Sequence, residues 1–402
     1  MSTNFFRLLI LFTLIQQTAL SQNIVIGKFD TISSAILKEK RVIRIYQPNQ
    51  NRVIDAPQER YPVIYLLDGD WHFSSVVGIT EQLSYINGNN ICPEMIIVGI
   101  SILDRYRDLT PSRDTNWSKT SGENSKFISF IKQELIPYID SNYPSSVYRI
   151  FIGHSLGGLT VINTLVTDPD LFNAYVAIDP SMWWDNQSSL KETKIALSEK
   201  TYNNINLYLA IANSMDRDMD TLKVRNDKTR NTLPIRSLLE FSDHLKLCNG
   251  NKLNYKVKYY PDENHGSVPL KATYDALRFI FDFYNLQLTK KDYADTSMSL
   301  GIRIVNHYKN ISEKMGYLIV PSEEFINTLG YNALYMSNYK LAQYFFSLNI
   351  SNYPDSFNAY DSYGDYFVAT GDRNEAVKMY EKSLSIRESQ ETRRKLERIS
   401  VE

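Results

Sequence analysis

The chain has 402 residues, more than one ordinary domain, and its 43% hydrophobic and 12% aromatic content is ample for a large core. Its 44 Lys and Arg nearly cancel 45 Asp and Glu, leaving a net charge of −1 with no long run of one sign. That balance argues against nucleic acid or an anionic membrane as a partner and favours a small molecule or an uncharged polymer.

At the N-terminus a polar start with Arg7, an apolar stretch from Leu8 to Ile15 and the small residues of Ala19-Leu20-Ser21 predict an export signal over 1–21, with cleavage before Gln22. The apolar stretch falls short of the ~20 residues a spanning helix needs, so no stable membrane span is expected. A periplasmic or secreted location follows from that reading. Cys92 and Cys248 are the only cysteines and have no CxxC spacing for metal or redox work. One bridge and two free thiols both remain open.

From Ile24 to about Tyr284, short apolar runs alternate with helical patterns, which predicts an α/β fold with a mainly parallel sheet covered by helices. The clearest strands are 62–67, 95–100, 148–152, 174–178 and 205–211, whose near-continuous hydrophobicity says that both faces are buried. The stretch 41–46 alternates and suits an antiparallel strand at the sheet's edge. The stretch 127–136 carries an apolar helical stripe, with Pro137 near its end.

After Tyr284 the sequence repeats at an offset of 34 residues. Leu329-Gly330 aligns with Tyr363-Gly364, Ala342 with Ala376, and Phe346 with Tyr380. Small residues there let two antiparallel helices approach, and the aromatics fill the seam. The pattern resembles the tetratricopeptide repeat over roughly 323–390, so three parts are predicted: 1–21 as signal, 22–286 as the α/β domain and 287–402 as a small all-α helical-repeat domain able to hold a protein partner. Two units rarely stand alone, so either 287–322 supplies another helical pair or the tail packs on the larger domain.

The chemistry centres on strand 149–152 running into Gly153-His154-Ser155-Leu156-Gly157 and then a helical pattern from Leu159. G-x-S-x-G between strand and helix is the nucleophile elbow: a tight turn that presents Ser155 Oγ at a helix N-terminus. A serine hydroxyl needs a base to take its proton. In α/β-hydrolase order the base comes last, which selects His265 in Asn264-His265-Gly266-Ser267. His154 lies inside the elbow but points away from the nucleophile and suits a neighbour-packing role, His72 follows Asp68-Gly69-Asp70-Trp71 and borders the site, and His244 and His307 fall on helical patterns that suggest solvated side chains.

The acid that orients the base belongs several residues past a later strand. That favours Asp216, after the strand ending at Ile211, with Asp218 and Asp220 as rivals. The oxyanion donors are expected to be the N–H of Leu156 and, from the loop after strand 62–67, the N–H of Asp70 rather than Trp71. No metal-ligand spacing is visible, and this chemistry requires neither a metal nor an organic cofactor.

Tyr65-Leu66-Leu67-Asp68-Gly69, Glu134-Leu135-Ile136-Pro137-Tyr138-Ile139-Asp140, Gly153-His154-Ser155-Leu156-Gly157-Gly158-Leu159, Asp179-Pro180-Ser181-Met182-Trp183-Trp184 and Asn264-His265-Gly266-Ser267 together look like the putative-esterase family of α/β-hydrolases. That family holds feruloyl esterase modules, S-formylglutathione hydrolases, mycolyltransferases and trilactone siderophore esterases. The last branch is most similar, through Asp-Pro-Ser-Met-Trp-Trp and 105–111. The resemblance spans about 28–285 and implies Ser155 and His265, but not the acid.

It further suggests Trp183 and Trp184 as an aromatic wall for an aryl or acyl group, and Arg105 and Arg107 as contacts for an anionic substrate. The expected activity is a secreted serine esterase acting on a siderophore trilactone such as an enterobactin-like ester. A feruloyl or acetyl ester linked to plant polysaccharide is the alternative substrate. A non-catalytic hydrolase fold with repeat-mediated partner binding is the alternative of another class.

Overall fold

The chain is described by a computed structural model over residues 24–48, 60–248, 250–295 and 297–401. The expected export signal lies outside the described residues. Eight strands form one sheet: β1 (Lys28–Ser34), β2 (Glu39–Tyr46), β3 (Tyr61–Leu66), β4 (Ile96–Ile100), β5 (Ser145–His154), β6 (Ala174–Ile178), β7 (Asn206–Ala212) and β8 (Asn254–Tyr260). Their order is β1-β2-β4-β3-β5-β6-β7-β8. β2 runs antiparallel to both β1 and β4, and the rest of the sheet is parallel. Every residue of β3, β4 and β6 is buried, as their unbroken apolar runs require.

The alternating strand at 41–46 is antiparallel as expected, but it lies second from the edge. The edge itself is β1, whose residues are mostly exposed and so carry little apolar signal.

Helices cover both faces. On one side α3 (Asn124–Phe130), α4 (Ile136–Asn142), α5 (Leu156–Thr167), α6 (Trp184–Glu199) and α7 (Leu233–Leu247) bury Phe127, Ile139, Leu159, Leu190 and Phe241 against Tyr65, Val98, Phe151 and Leu209. On the other, α1 (Gly69–Ser84) and α8 (Val268–Ile280) bury Phe73, Val77, Ala272 and Leu277 against Ile64, Ile97, Ile150 and Val176. The small helix α2 (Arg105–Leu109) borders the site. The helix expected to end near Pro137 continues instead to Asn142, through a π turn at Ile131–Leu135. Widening the turn accommodates a proline that has no N–H to donate.

The tail is all helical: α9 (Lys290–Ala294), α10 (Ser299–Met315), α11 (Glu323–Tyr335), α12 (Tyr339–Asn352), α13 (Phe357–Thr370), α14 (Arg373–Ile386) and α15 (Gln390–Val401). The repeat is physical. A Cβ at Gly330 would sit 2.7 Å from Phe346 Cε1, and one at Gly364 would collide with the Tyr380 ring, so each glycine is where a hairpin closes on its aromatic. The helix caps repeat too, with Ser322 and Ser356 capping the first helix of each pair, and Asn338 and Asp372 the second.

α10 serves two cores. Its Leu300 and Ile304 pack with Leu329, Phe345 and Phe346 of the repeats, while Ile311 and Met315 join the sheet-side cluster with Phe281 and Tyr148. Between them Phe283 and Tyr284 lean on the sheet-side cluster, and Leu286 and Leu288 on the repeats. Cys92 and Cys248 are both free, and burial pushes the Cys92 thiol up.

Candidate active site

β5 ends at His154 and α5 begins at Leu156, leaving Ser155 alone in the turn with φ 61° and ψ −117°. Such a backbone costs on the order of 1–3 kcal/mol and persists only where its surroundings enforce it. Here Ser155 N–H donates to Ile178 O, and Ser155 O accepts from Leu159 and Ser181, each at 3.0 Å. A Cβ at Gly153 would collide with the Gly157 carbonyl, and one at Gly158 would lie 3.0 Å from Pro180 Cα. The glycines are therefore what allow strand, turn and helix to close. Ser181 Oγ lies 3.4 Å from Ser155 Oγ.

His265 stands on the loop between β8 and α8, shaped by Asn264 Oδ1 accepting from Gly266 and Ser267 N–H at 2.9 and 3.0 Å. Its Nδ1–H donates to Asp179 Oδ2 at 2.6 Å. Asp179 sits just past β6 with φ 43°, its carboxylate only 7% exposed. Its other oxygen accepts from Ala212 N–H at 2.9 Å. Both oxygens are thus fixed by partners, and the imidazole is held with Nε2 free for proton transfer.

This corrects the expected acid. Asp216, Asp218 and Asp220 lie exposed on the loop after β7, and Asp220 spends Oδ1 on the N–H groups of Leu222 and Lys223, at 2.8 Å each. The carboxylate partner of His265 comes from the strand immediately after the elbow. The sequence signal for it is Asp179 at the head of Asp179-Pro180-Ser181-Met182-Trp183-Trp184, directly after a buried strand.

The loop after β3 leans on the elbow, because a Cβ at Gly157 would meet Asp68 Oδ2 and Leu67 Cβ at 3.4 Å. Asp68 is buried with φ 52°, and its carbonyl accepts from Trp71 N–H at 3.0 Å. That bond spends the Trp71 donor, which favours Asp70 as the one available to a ligand. The Asp70 carboxylate turns aside to Arg44 and to Ser101 Oγ. Leu156 N–H is the first donor of α5, where a helix leaves such groups unpaired.

The four residues expected to meet substrate divide. Arg105 grips Asp68 with two bonds, 2.9 and 3.0 Å, and lies over the Trp71 ring at 5.3 Å. Arg107 is committed elsewhere: it binds Glu39 at 2.7 and 3.1 Å and Asp108 at 2.7 Å, next to the buried Arg41 that shares both carboxylates. Trp184 is fully buried, its Nε1–H donating to Ser112 O at 3.1 Å, so it is core and cannot be a wall for ligand. Trp183 is half-buried and packs on Trp117 with ring centroids 5.0 Å apart. Trp117 is 55% exposed and Trp71 68%, so these two, not expected from the sequence as substrate contacts, offer exposed aromatic surface at this end of the sheet.

His154 packs on the His265 ring at 4.4 Å and receives the edge of His72 at 5.7 Å. Burial, with the neighbouring His265 and His72, pushes His154 down to about 3 and keeps it neutral, and burial also lowers His72. His244 and His307, expected to be solvated, are half-buried and donate to the carbonyls of Lys194 and Tyr284, at 2.9 and 3.1 Å. Among the described residues no cluster of three or more His, Cys, Asp or Glu is placed to hold a metal, and no helix is long and apolar enough to cross a membrane.

A parallel sheet with an elbow at the end of β5 and a histidine on the loop after the last strand defines an α/β-hydrolase. Residues 34–243 match the family described as Putative esterase, and the chain belongs to it. It is similar to the ferri-bacillibactin esterase BesA of Bacillus subtilis, 30% identical over 247 residues that cover 56% of this chain and 80% of the relative. Among solved structures, an IroE-like serine hydrolase from Shewanella oneidensis superposes with a TM-score of 0.65 at 28% identity, covering 80% of this chain and 98% of that one. An uncharacterised protein from Capnocytophaga ochracea shares the fold over 94% of this chain and all of that one, with a TM-score of 0.62 at 19% identity.

Proposed function

We propose that the chain is an exported serine esterase that opens siderophore esters through an acyl-enzyme on Ser155. The observation that carries the mechanism is the 2.6 Å bond between His265 Nδ1 and Asp179, behind a serine held in an elbow. In this reading His265 Nε2 takes the Ser155 proton as Oγ attacks the ester carbonyl. The Asp179 carboxylate stabilises the imidazolium that forms. Leu156 and Asp70 N–H groups receive the oxyanion. The imidazolium returns its proton to the leaving alcohol, and a water activated by the same histidine then releases the acid and restores Ser155.

Two things support a siderophore substrate: similarity to an enzyme named for ferri-bacillibactin, and the exposed Trp71 and Trp117, flat surfaces for an aryl arm. A feruloyl ester would fit the same surfaces. The segments 22–286 and 287–402 are read as esterase and tetratricopeptide-type repeats, the latter available to a protein partner.

The test is to treat the protein with a fluorophosphonate and map the adduct, then assay a trilactone siderophore, methyl ferulate and acetylated xylan. Labelling at Ser155, and fastest turnover of the trilactone, is the expected result. An unlabelled Ser155 with no ester turnover would leave a binding module as the reading.

A further inference from the structure

His265 is pinned at one atom only. The Asp179 bond fixes Nδ1, yet the side chain remains 50% exposed, and a ring held at one corner can swing about that bond and carry Nε2 away from Ser155. Something else must limit the swing.

The ring placed to do so is His154. It ends β5 and pairs in register with Ile178 of β6, whose next residue is Asp179, so it lies beside the strand end that supplies the acid. Its ring meets that of His265 at 4.4 Å with a tilt of 41°. Behind it, His72 of α1 presents its ring at 89° and 5.7 Å. Both Nε2 atoms are buried and lack a hydrogen-bond partner, and both rings line a small cleft with Leu66, Val76, Ile152 and Pro269.

We propose that His154 is a positioning residue for the base of this site: its ring, backed by the edge of His72, keeps His265 aimed at Ser155. The inference rests on the serine-esterase reading above. His154 touches neither substrate nor nucleophile in this scheme and exchanges no proton. Because it stays neutral, it adds no charge beside the imidazolium that forms in the reaction. Its contribution is orientation, to which rates are steeply sensitive, since a displacement of about 1 Å can cost on the order of 100-fold.

The experiment compares His154→Ala, His154→Phe and His72→Ala in the full chain, reading kcat and KM on one ester alongside the melting temperature. His154→Ala is expected to lower kcat by about 30- to 100-fold with KM within about twofold, and His154→Phe, which restores a flat face, to recover at least about tenfold of that loss. His72→Ala, more remote, should lower kcat about 3- to 10-fold, and it carries the test if His154→Ala does not fold. A His154→Ala kcat within twofold of the parent, a loss borne by KM, or no recovery in a folded His154→Phe would each overturn the proposal. With His154→Ala unfolded, an unchanged kcat in His72→Ala would do the same. Failure of the esterase reading itself is separately visible, because the parent protein would then not label at Ser155.

Discussion

Asp179 and His265 are 86 residues apart in the chain and 2.6 Å apart in the fold, the carboxylate coming from the strand that follows the elbow rather than from a later one. Asp179→Asn would reverse the hydrogen-bond demand on Nδ1 and leave the imidazole in the wrong tautomer. We expect kcat to fall on the order of 10²- to 10⁴-fold, with Asp216→Asn within about twofold of the parent. Equal losses in the two variants would return the acid to the loop after β7.

Acid should destabilise the fold through the buried histidines. His154 is held at about 3 against an ordinary 6.5 by burial first, with His265 and His72 adding to the effect and Asp179 opposing it. Between those values the unfolded chain binds a proton that the folded one refuses, so stability falls as pH drops from about 6.5 towards 3. The slope from this one group is at most about 1.4 kcal/mol per pH unit. His72, lowered by burial with Asp68 and Arg105 acting in opposite senses, adds to it in the same direction. Urea denaturation from pH 4 to 8 should therefore show a shallower acid loss in His154→Phe than in the parent. Parallel curves would mean that His154 titrates normally.

The tail should stabilise the esterase sheet. Ile311 and Met315 are each 1% exposed and pack among residues beneath β5 and α8. Replacing either with Ala should cost about 2–5 kcal/mol. Removing everything after residue 286 should lower the temperature at which fluorophosphonate labelling of Ser155 is lost. A truncated chain that labels and melts like the parent would show the two cores to be independent.

Trp117 should select substrates by their aromatic arms. Trp117→Ala removes one exposed ring of the Trp117–Trp183 pair, 5.0 Å between centroids, without touching the elbow. KM for an aryl-bearing ester is expected to rise about 3- to 10-fold, equivalent to the ~0.5–1.5 kcal/mol of an aromatic pair. Hydrolysis of methyl butyrate, followed by pH-stat, should stay within about twofold. An equal effect on both esters would assign Trp117 to the fold.

The sheet was legible wherever burial is two-sided, because strands such as β3, β4 and β6 have no exposed position to interrupt the apolar run. β1 was not, since it is paired on one edge only and Phe29 remains 70% exposed. The elbow was legible because its glycines are local necessities. The carboxylate partner of His265 was not legible, because topological order points past β7, and a φ of 43° at Asp179 or the closure of its carboxylate onto Ala212 leaves no mark in sequence. Arg107 was read as available because its partner Glu39 lies 68 residues away. Trp183 and Trp184 are adjacent letters, and only packing tells the core ring from the half-buried one.

α10 gives this chain a stiff joint. One helix is embedded at its start among the repeats and at its end under the sheet, so a swing of the tail would have to break one of those two cores. The repeats act as a bracket whose load is borne through Ile311 and Met315 by the face of the sheet behind β5.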